Sequence, residues 1–180
     1  MHIMDSERTY IAHSHSVEDT QRLAASLVRY VQAQDVVLLD GDLGAGKTHF
    51  VQGIAHAMGI HDEVTSPTFT ILLSYPGIDH NGASLTLNHF DLYRLDDPAD
   101  LDDIGYWETL EGPGVSFIEW GHKFASCLPF DYLDISIDVI GEDDRVFTIC
   151  ACGDRARRLL AAWAQDEEAR LTPSTSKNVR

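Results

Sequence analysis

Eight consecutive residues, Gly41-Asp42-Leu43-Gly44-Ala45-Gly46-Lys47-Thr48, fit the pattern G-x-x-x-x-G-K-[ST]. Glycines at these offsets let the backbone curl so that successive N–H groups point inward at phosphate oxygens. A helix opening near Lys47 would add the positive end of its dipole to the same place. In such a loop the lysine bridges the β- and γ-phosphates of a nucleotide, and the Thr48 hydroxyl binds Mg²⁺. The flanks suit this chemistry, since a short apolar run, Val36-Val37-Leu38-Leu39, precedes the loop and a helical pattern through Phe50, Ile54 and Met58 follows it.

A nucleotide-hydrolysing site of this kind needs carboxylates at the ends of neighbouring strands. Asp91 closes the run Leu85-Thr86-Leu87-Asn88-His89-Phe90, and Glu119 closes Val115-Ser116-Phe117-Ile118. A glutamate in that position can orient or deprotonate an attacking water, or contact the metal directly or through water. After the helix that follows the glycine loop, Thr65-Ser66-Pro67-Thr68-Phe69-Thr70 offers hydroxyls where a γ-phosphate sensor would sit, although a plain turn leading into a strand is the alternative. No Asn/Thr-Lys-x-Asp guanine reader is present, which favours adenine over guanine.

The elements that must position these groups follow from local pattern. Arg8–His13 reads as a strand, and Ser16 as the N-cap of a helix carrying Leu23, Leu27, Tyr30 and Val31, which should end near Ala33. Gly59 is placed to end the helix after the glycine loop. Thr68–Tyr75 and Leu85–Asp91 read as strands around a turn-rich link over Pro76–Gly82, and Asp97-Pro98 as a helix start. Tyr132–Val139 and Arg145–Ala151 form a predicted antiparallel hairpin, followed by a last helix over Asp154–Ala164. The expected fold is α/β: one P-loop NTPase-like domain over 1–166, with a mixed central sheet, flanking helices and a C-terminal hairpin. Residues 167–180 are expected to form a disordered tail.

Composition narrows the function classes. The 180 residues carry a formal net charge of −16, with 44% hydrophobic residues, a proportion that suits a globular chain. Residues 35–144 hold 21 acids against only Lys47, Arg94 and Lys123. Such a body repels nucleic-acid phosphates unless a cation or a basic partner intervenes. The acids Asp96, Asp97, Asp100, Asp102 and Asp103 lack the offsets of a calcium loop and read as a solvated helix start or a docking surface for a basic partner. Cys127, Cys150 and Cys152 read as ordinary thiols, and His13, His15, His80 and His122 as ordinary loop histidines. No apolar stretch resembles a signal peptide or a membrane span, so the chain is expected in the cytoplasm.

Taken together, the glycine loop, Ser66-Pro67-Thr68-Phe69, His89-Phe90-Asp91-Leu92-Tyr93-Arg94-Leu95, Asp97-Pro98, Gly105-Tyr106, Phe117-Ile118-Glu119-Trp120-Gly121 and Leu128-Pro129 resemble the bacterial TsaE (YjeE) family. Their order and spacing span roughly residues 8–150. The resemblance implies a Mg²⁺-dependent ATPase, weak alone and stimulated by the TsaB–TsaD pair, in which TsaD transfers a threonylcarbamoyl group to adenosine 37 of tRNAs reading codons that begin with A. ATP hydrolysis would keep that cycle turning, and tRNA would be met only through the partners. The resemblance puts the metal roles on Thr48 and Glu119, with Asp91 in the Walker B-like position. It puts a switch on Ser66, Pro67 and Thr68, and Trp120 near the nucleotide. Two departures stand out: His49 replaces a second Thr after the metal-binding one, and Leu72-Leu73-Ser74 replaces a more polar stretch before Tyr75. Readings from other classes are a small-molecule kinase using the same loop, for which Arg94 is the one arginine in 35–144 to clamp phosphate, and a nucleotide-binding regulatory module without turnover.

Overall fold

A computed structural model describes residues 9–171. Seven strands form one sheet in the spatial order β1-β7-β6-β2-β5-β4-β3. They are β1 (Thr9–Ser14), β2 (Val36–Asp40), β3 (Leu72–Ile78), β4 (Ser84–Asp91), β5 (Gly114–Glu119), β6 (Tyr132–Val139) and β7 (Arg145–Cys152). The central strands β6, β2, β5 and β4 run parallel; β3 on one side and β7 on the other run opposite to them, and β1 pairs antiparallel to β7 at the edge. This is the expected mixed sheet with its C-terminal hairpin, β6–β7.

Five helices flank it: α1 (Val17–Leu27), α2 (Lys47–Ala57), α3 (Ala99–Asp103), α4 (Tyr106–Leu110) and α5 (Asp154–Leu171). The apolar run in β2 is continuous because both faces of the strand are covered. Val37 and Leu39 join the large core beneath α1, α2 and α5, whereas Val36 and Leu38 join a second core with Leu101, Tyr106 and Leu110 from α3 and α4. In the hairpin only one face is deeply buried, and Leu133, Ile135 and Ile137 alternate with partly exposed Asp134 and Ser136.

Several boundaries differ from the sequence expectation. Ser16 caps α1 as predicted, its hydroxyl accepting the Asp19 amide at 3.1 Å, but the helix ends at Leu27 rather than near Ala33. There the Asp35 carboxylate accepts the Gln32 amide at 2.8 Å and Gln34 takes a positive φ of 71°, so the apolar stripe continues through a turn. Strand β3 starts at Leu72, not Thr68, because Ile71 adopts φ 68° and its amide bonds the Pro67 carbonyl at 2.6 Å. It then runs on through Pro76 and Gly77, which sit on an edge strand where Pro is tolerated. The turn itself is Asp79–Gly82, with Asp79 Oδ1 accepting the amides of Asn81 (2.8 Å) and Ala83 (2.9 Å).

The short helix α4 and the kinked 3-10 segment Gly121–Cys127 were not predicted. Helix α5 continues to Leu171, past both the expected end at Ala164 and the domain boundary at 166. Glu167 is buried against α1 between Arg22 (3.6 Å) and Arg170 (3.2 Å), which holds the extra turns. The rest of the expected tail, 172–180, and the first residue of the expected strand, Arg8, lie outside the described residues.

Candidate functional site

The site sits at the carboxyl ends of β2, β4 and β5, where an open α/β sheet places its ligands. Strand β2 ends at Asp40 and the chain turns at once through Gly41, with φ +144°. A Cβ at Gly41 would stand 2.7 Å from the Ile137 carbonyl of β6, so only glycine passes there. Gly46 (φ +114°) precedes α2 without a side-chain cap, which leaves the first amides of the helix free for an anionic ligand. Lys47 is almost buried, and its Nζ donates to the loop's own carbonyls, Gly41 at 2.6 Å and Asp42 at 3.2 Å. It also lies 5.6 Å from the centroid of the Trp120 ring.

Asp91 and Glu119 stand directly opposite each other on the parallel strands β4 and β5, and each is buried. They reach the end of their strands with side chains on the same face as Leu87 and Phe117, which is the face covered by α2. Asp91 is held from two sides. Its Oδ2 accepts from the hydroxyls of Thr68 (2.7 Å) and Ser66 (3.5 Å), and its Oδ1 accepts the Tyr93 amide at 3.0 Å. Glu119 Oε1 lies 2.9 Å from Nε2 of the fully buried His89. Trp120 follows with φ 62°, a left-handed conformation uncommon for a large residue, and its ring meets Tyr93 at 5.1 Å between centroids.

These groups enclose a cleft of about 370 Å³ lined by Leu43, Gly44, Gly46, Lys47, Thr48, Ser66, Thr68, Asp91, Tyr93, Glu119 and Trp120. The cleft therefore unites the catalytic, metal and most of the switch residues expected from sequence. Gly41 and Asp42 face an adjoining hollow that also takes in Trp120 and β6 residues. Ala45 points into the core, and Pro67 is buried beneath the loop that presents Ser66 and Thr68. A site of this construction can hold a polyphosphate between a positive loop and two carboxylates, which themselves call for a cation.

Three site residues escaped the sequence reading. His89 was visible only as part of a motif, and nothing local marked it as the partner of Glu119. Tyr93 lines the cleft beside Trp120. Arg145, at the start of β7, straps the glycine loop to the hairpin turn. Its Nε donates to the Ala45 carbonyl at 2.9 Å, while its terminal nitrogen donates to the carbonyls of Gly141, Glu142 and Asp144 at 3.0–3.3 Å.

The remaining candidates have local partners. Asp97 and Asp100 accept backbone amides at the start of α3, as a solvated helix start would require. Lys123 gathers the carbonyls of Tyr93 and Leu95 and the Asp96 carboxylate. His15 pairs with Asp144 and His122 with Asp134. The three cysteines are free, and among the described residues no group of three or more His, Cys, Asp or Glu converges as a metal cage. No described helix is long and apolar enough to cross a membrane.

Comparison with known proteins agrees with this architecture. Residues 14–147 match the family model described as threonylcarbamoyl adenosine biosynthesis protein TsaE. A tRNA threonylcarbamoyladenosine biosynthesis protein TsaE from Treponema pallidum is 44% identical over 136 residues, covering 76% of this chain and 96% of the relative. Its counterpart from Bacillus subtilis is 40% identical over 142 residues, covering 79% and 85%. The crystal structure of Bacillus subtilis YdiB superposes with a TM-score of 0.73 at 33% identity, over 89% of this chain and 97% of that one. With the family model spanning the strands that build the cleft and relatives matched over most of their length, the chain belongs to the TsaE family.

Proposed function

We propose that this protein is a Mg²⁺-dependent ATPase that supports formation of threonylcarbamoyladenosine in tRNA, working with TsaB and TsaD proteins. One observation carries the reading: Lys47 and Thr48 of the glycine loop share a single cleft with the paired strand-end carboxylates Asp91 and Glu119. The relatives' names supply the pathway.

The donor set suits Mg²⁺, a hard cation that takes one or two carboxylates and fills its shell with water and phosphate oxygens rather than an all-protein cage. Thr48, Asp91 and Glu119 would hold it, and bound there it would offset charge on the nucleotide's β and γ oxygens. The chain's own part is then positional. The amides at the start of α2 cradle phosphate, and Lys47 exchanges its bonds to the Gly41 and Asp42 carbonyls for phosphate oxygens. Glu119 orients or deprotonates the attacking water. Ser66 and Thr68, tied to Asp91, are placed to sense the terminal phosphate. Trp120 and Tyr93 wall the cleft and limit water.

The test is ATP hydrolysis by the chain alone and with TsaB and TsaD. Slow turnover that rises with the partners is expected. Phosphate transfer to a metabolite without stimulation would replace this reading with a kinase. Nucleotide binding with no turnover under either condition would replace it with a regulatory module.

A further inference from the structure

His89 lies on β4 two residues before Asp91, with no exposed surface, and its ring is sealed behind the cleft. Its Nε2 is 2.9 Å from Glu119 Oε1, while its Nδ1 is buried with no hydrogen-bond partner among the described residues. A proton on Nδ1 would be a buried donor without an acceptor, and Nε2 would then face the carboxylate with no hydrogen to give. The arrangement therefore requires the proton on Nε2, directed at Glu119. With Oε1 so engaged, Oε2 is the oxygen of Glu119 left for the cleft, which Glu119 helps to line.

We propose that His89 is a positioning residue for hydrolysis, acting through Glu119 by holding one carboxylate oxygen and presenting the other to the cleft. This role rests on the ATPase reading above. It parallels the general arrangement in which a buried partner orients a functional carboxylate, where losing the partner costs about 10- to 100-fold in activity. The bond spans 30 residues of sequence and is made possible by the parallel register that sets His89 beside Phe117 and Asp91 beside Glu119.

The experiment compares His89→Phe, His89→Gln and His89→Asn in the full chain with TsaB and TsaD present. Phe keeps the ring without a donor; Gln carries an amide N–H near the position of Nε2; Asn carries one near Nδ1 instead. His89→Phe is expected to lower kcat by about 10- to 100-fold. The dissociation constant for ADP, read by fluorescence without TsaB or TsaD, should stay within about threefold, a free-energy change of about 0.7 kcal/mol. His89→Gln should recover most of the turnover and His89→Asn little of it. If His89→Phe does not fold, this Gln-against-Asn contrast carries the test. In a Glu119→Ala background, His89→Phe should cause no further loss, because its effect passes through Glu119.

A readout independent of turnover is the ring itself. Isotope-labelled histidine in the metal-free protein should show His89 protonated on Nε2 by two-bond correlation spectroscopy. A proton on Nδ1, an unimpaired His89→Phe, equal rescue by Gln and Asn, or a further loss in the Glu119→Ala background would each overturn the positioning role. A wild-type chain that turns over beside an unimpaired His89→Phe overturns this role alone. A wild-type chain without turnover overturns the ATPase reading and this role with it.

Discussion

At the scale of single residues, the proposed ATPase would divide binding from chemistry within the cleft. Among the described residues Lys47 is the one basic side chain lining it, so Lys47→Ala is expected to abolish ATP turnover and to weaken nucleotide binding, measured by fluorescent-nucleotide titration. Glu119 lies at the end of β5, where its bond to His89 engages one carboxylate oxygen, and in the proposed ATPase it would serve hydrolysis rather than binding. Glu119→Ala is accordingly expected to reduce kcat far more than affinity. Equal loss of both would assign Glu119 to holding the ligand instead. Asp91 binds Ser66 and Thr68 as well as facing the proposed metal, so Asp91→Asn should both weaken the Mg²⁺ dependence of nucleotide binding and loosen the 65–71 loop in hydrogen exchange.

At the scale of elements, α5 and α4 show how secondary structure is held by what it covers. The Trp163 ring of α5 is fully buried, and its Nε1 donates to Ser26 of α1 at 2.7 Å. Trp163→Ala removes both the ring and that bond, and should cost about 3–5 kcal/mol in denaturant unfolding. On the opposite face of the sheet, Tyr106 of α4 packs edge-on against Phe90 at 5.5 Å between centroids. Burial pushes its phenol up to about 12, and negative charge on Cys127 would push in the same direction. The raised value means the fold favours the protonated phenol. That contribution, on the order of 2–3 kcal/mol, is complete below pH 10, is lost as pH rises from about 10 to 12, and is absent above. A pH series of thermal melts should show this alkaline loss, and Tyr106→Phe should flatten it.

At the scale of the whole molecule, the formal net charge of −16 is carried by the body around the cleft, since residues 35–144 hold 21 acids and three bases. The basic residues of α5 are largely occupied nearby: Arg155 binds Asp35 and the Tyr30 carbonyl, Arg157 pairs with Asp154, and Arg170 pairs with Asp166 and Glu167. The isolated chain is therefore expected to leave tRNA mobility unchanged in electrophoresis at physiological salt, and to enter a tRNA complex only with TsaB and TsaD present. A direct shift by the chain alone would mean that the tRNA is not held by the partners.

Much of this was legible in the sequence because it depends on neighbours along the chain. The glycine loop, the strand before it, the Ser16 cap, the alternation in β6 and the strand-end placement of Asp91 and Glu119 all follow from local pattern and spacing. What the chain alone did not disclose depends on residues far apart in it. The end of α1 needs Asp35, itself held by Arg155; the length of α5 needs Arg22 beside Glu167; the start of β3 needs Asp91, whose amide donates to the Ile71 carbonyl at 2.9 Å. The pairing of His89 with Glu119 and the grip of Arg145 on Ala45 required the strand register and the hairpin position. Sequence by itself determined which groups are the candidates for phosphate binding and hydrolysis, because those candidates are marked by residue type and short spacing. Only the tertiary structure decided which of them meet and in what orientation, because β4 and β5 are brought together across an intervening segment by the burial of both faces of the sheet.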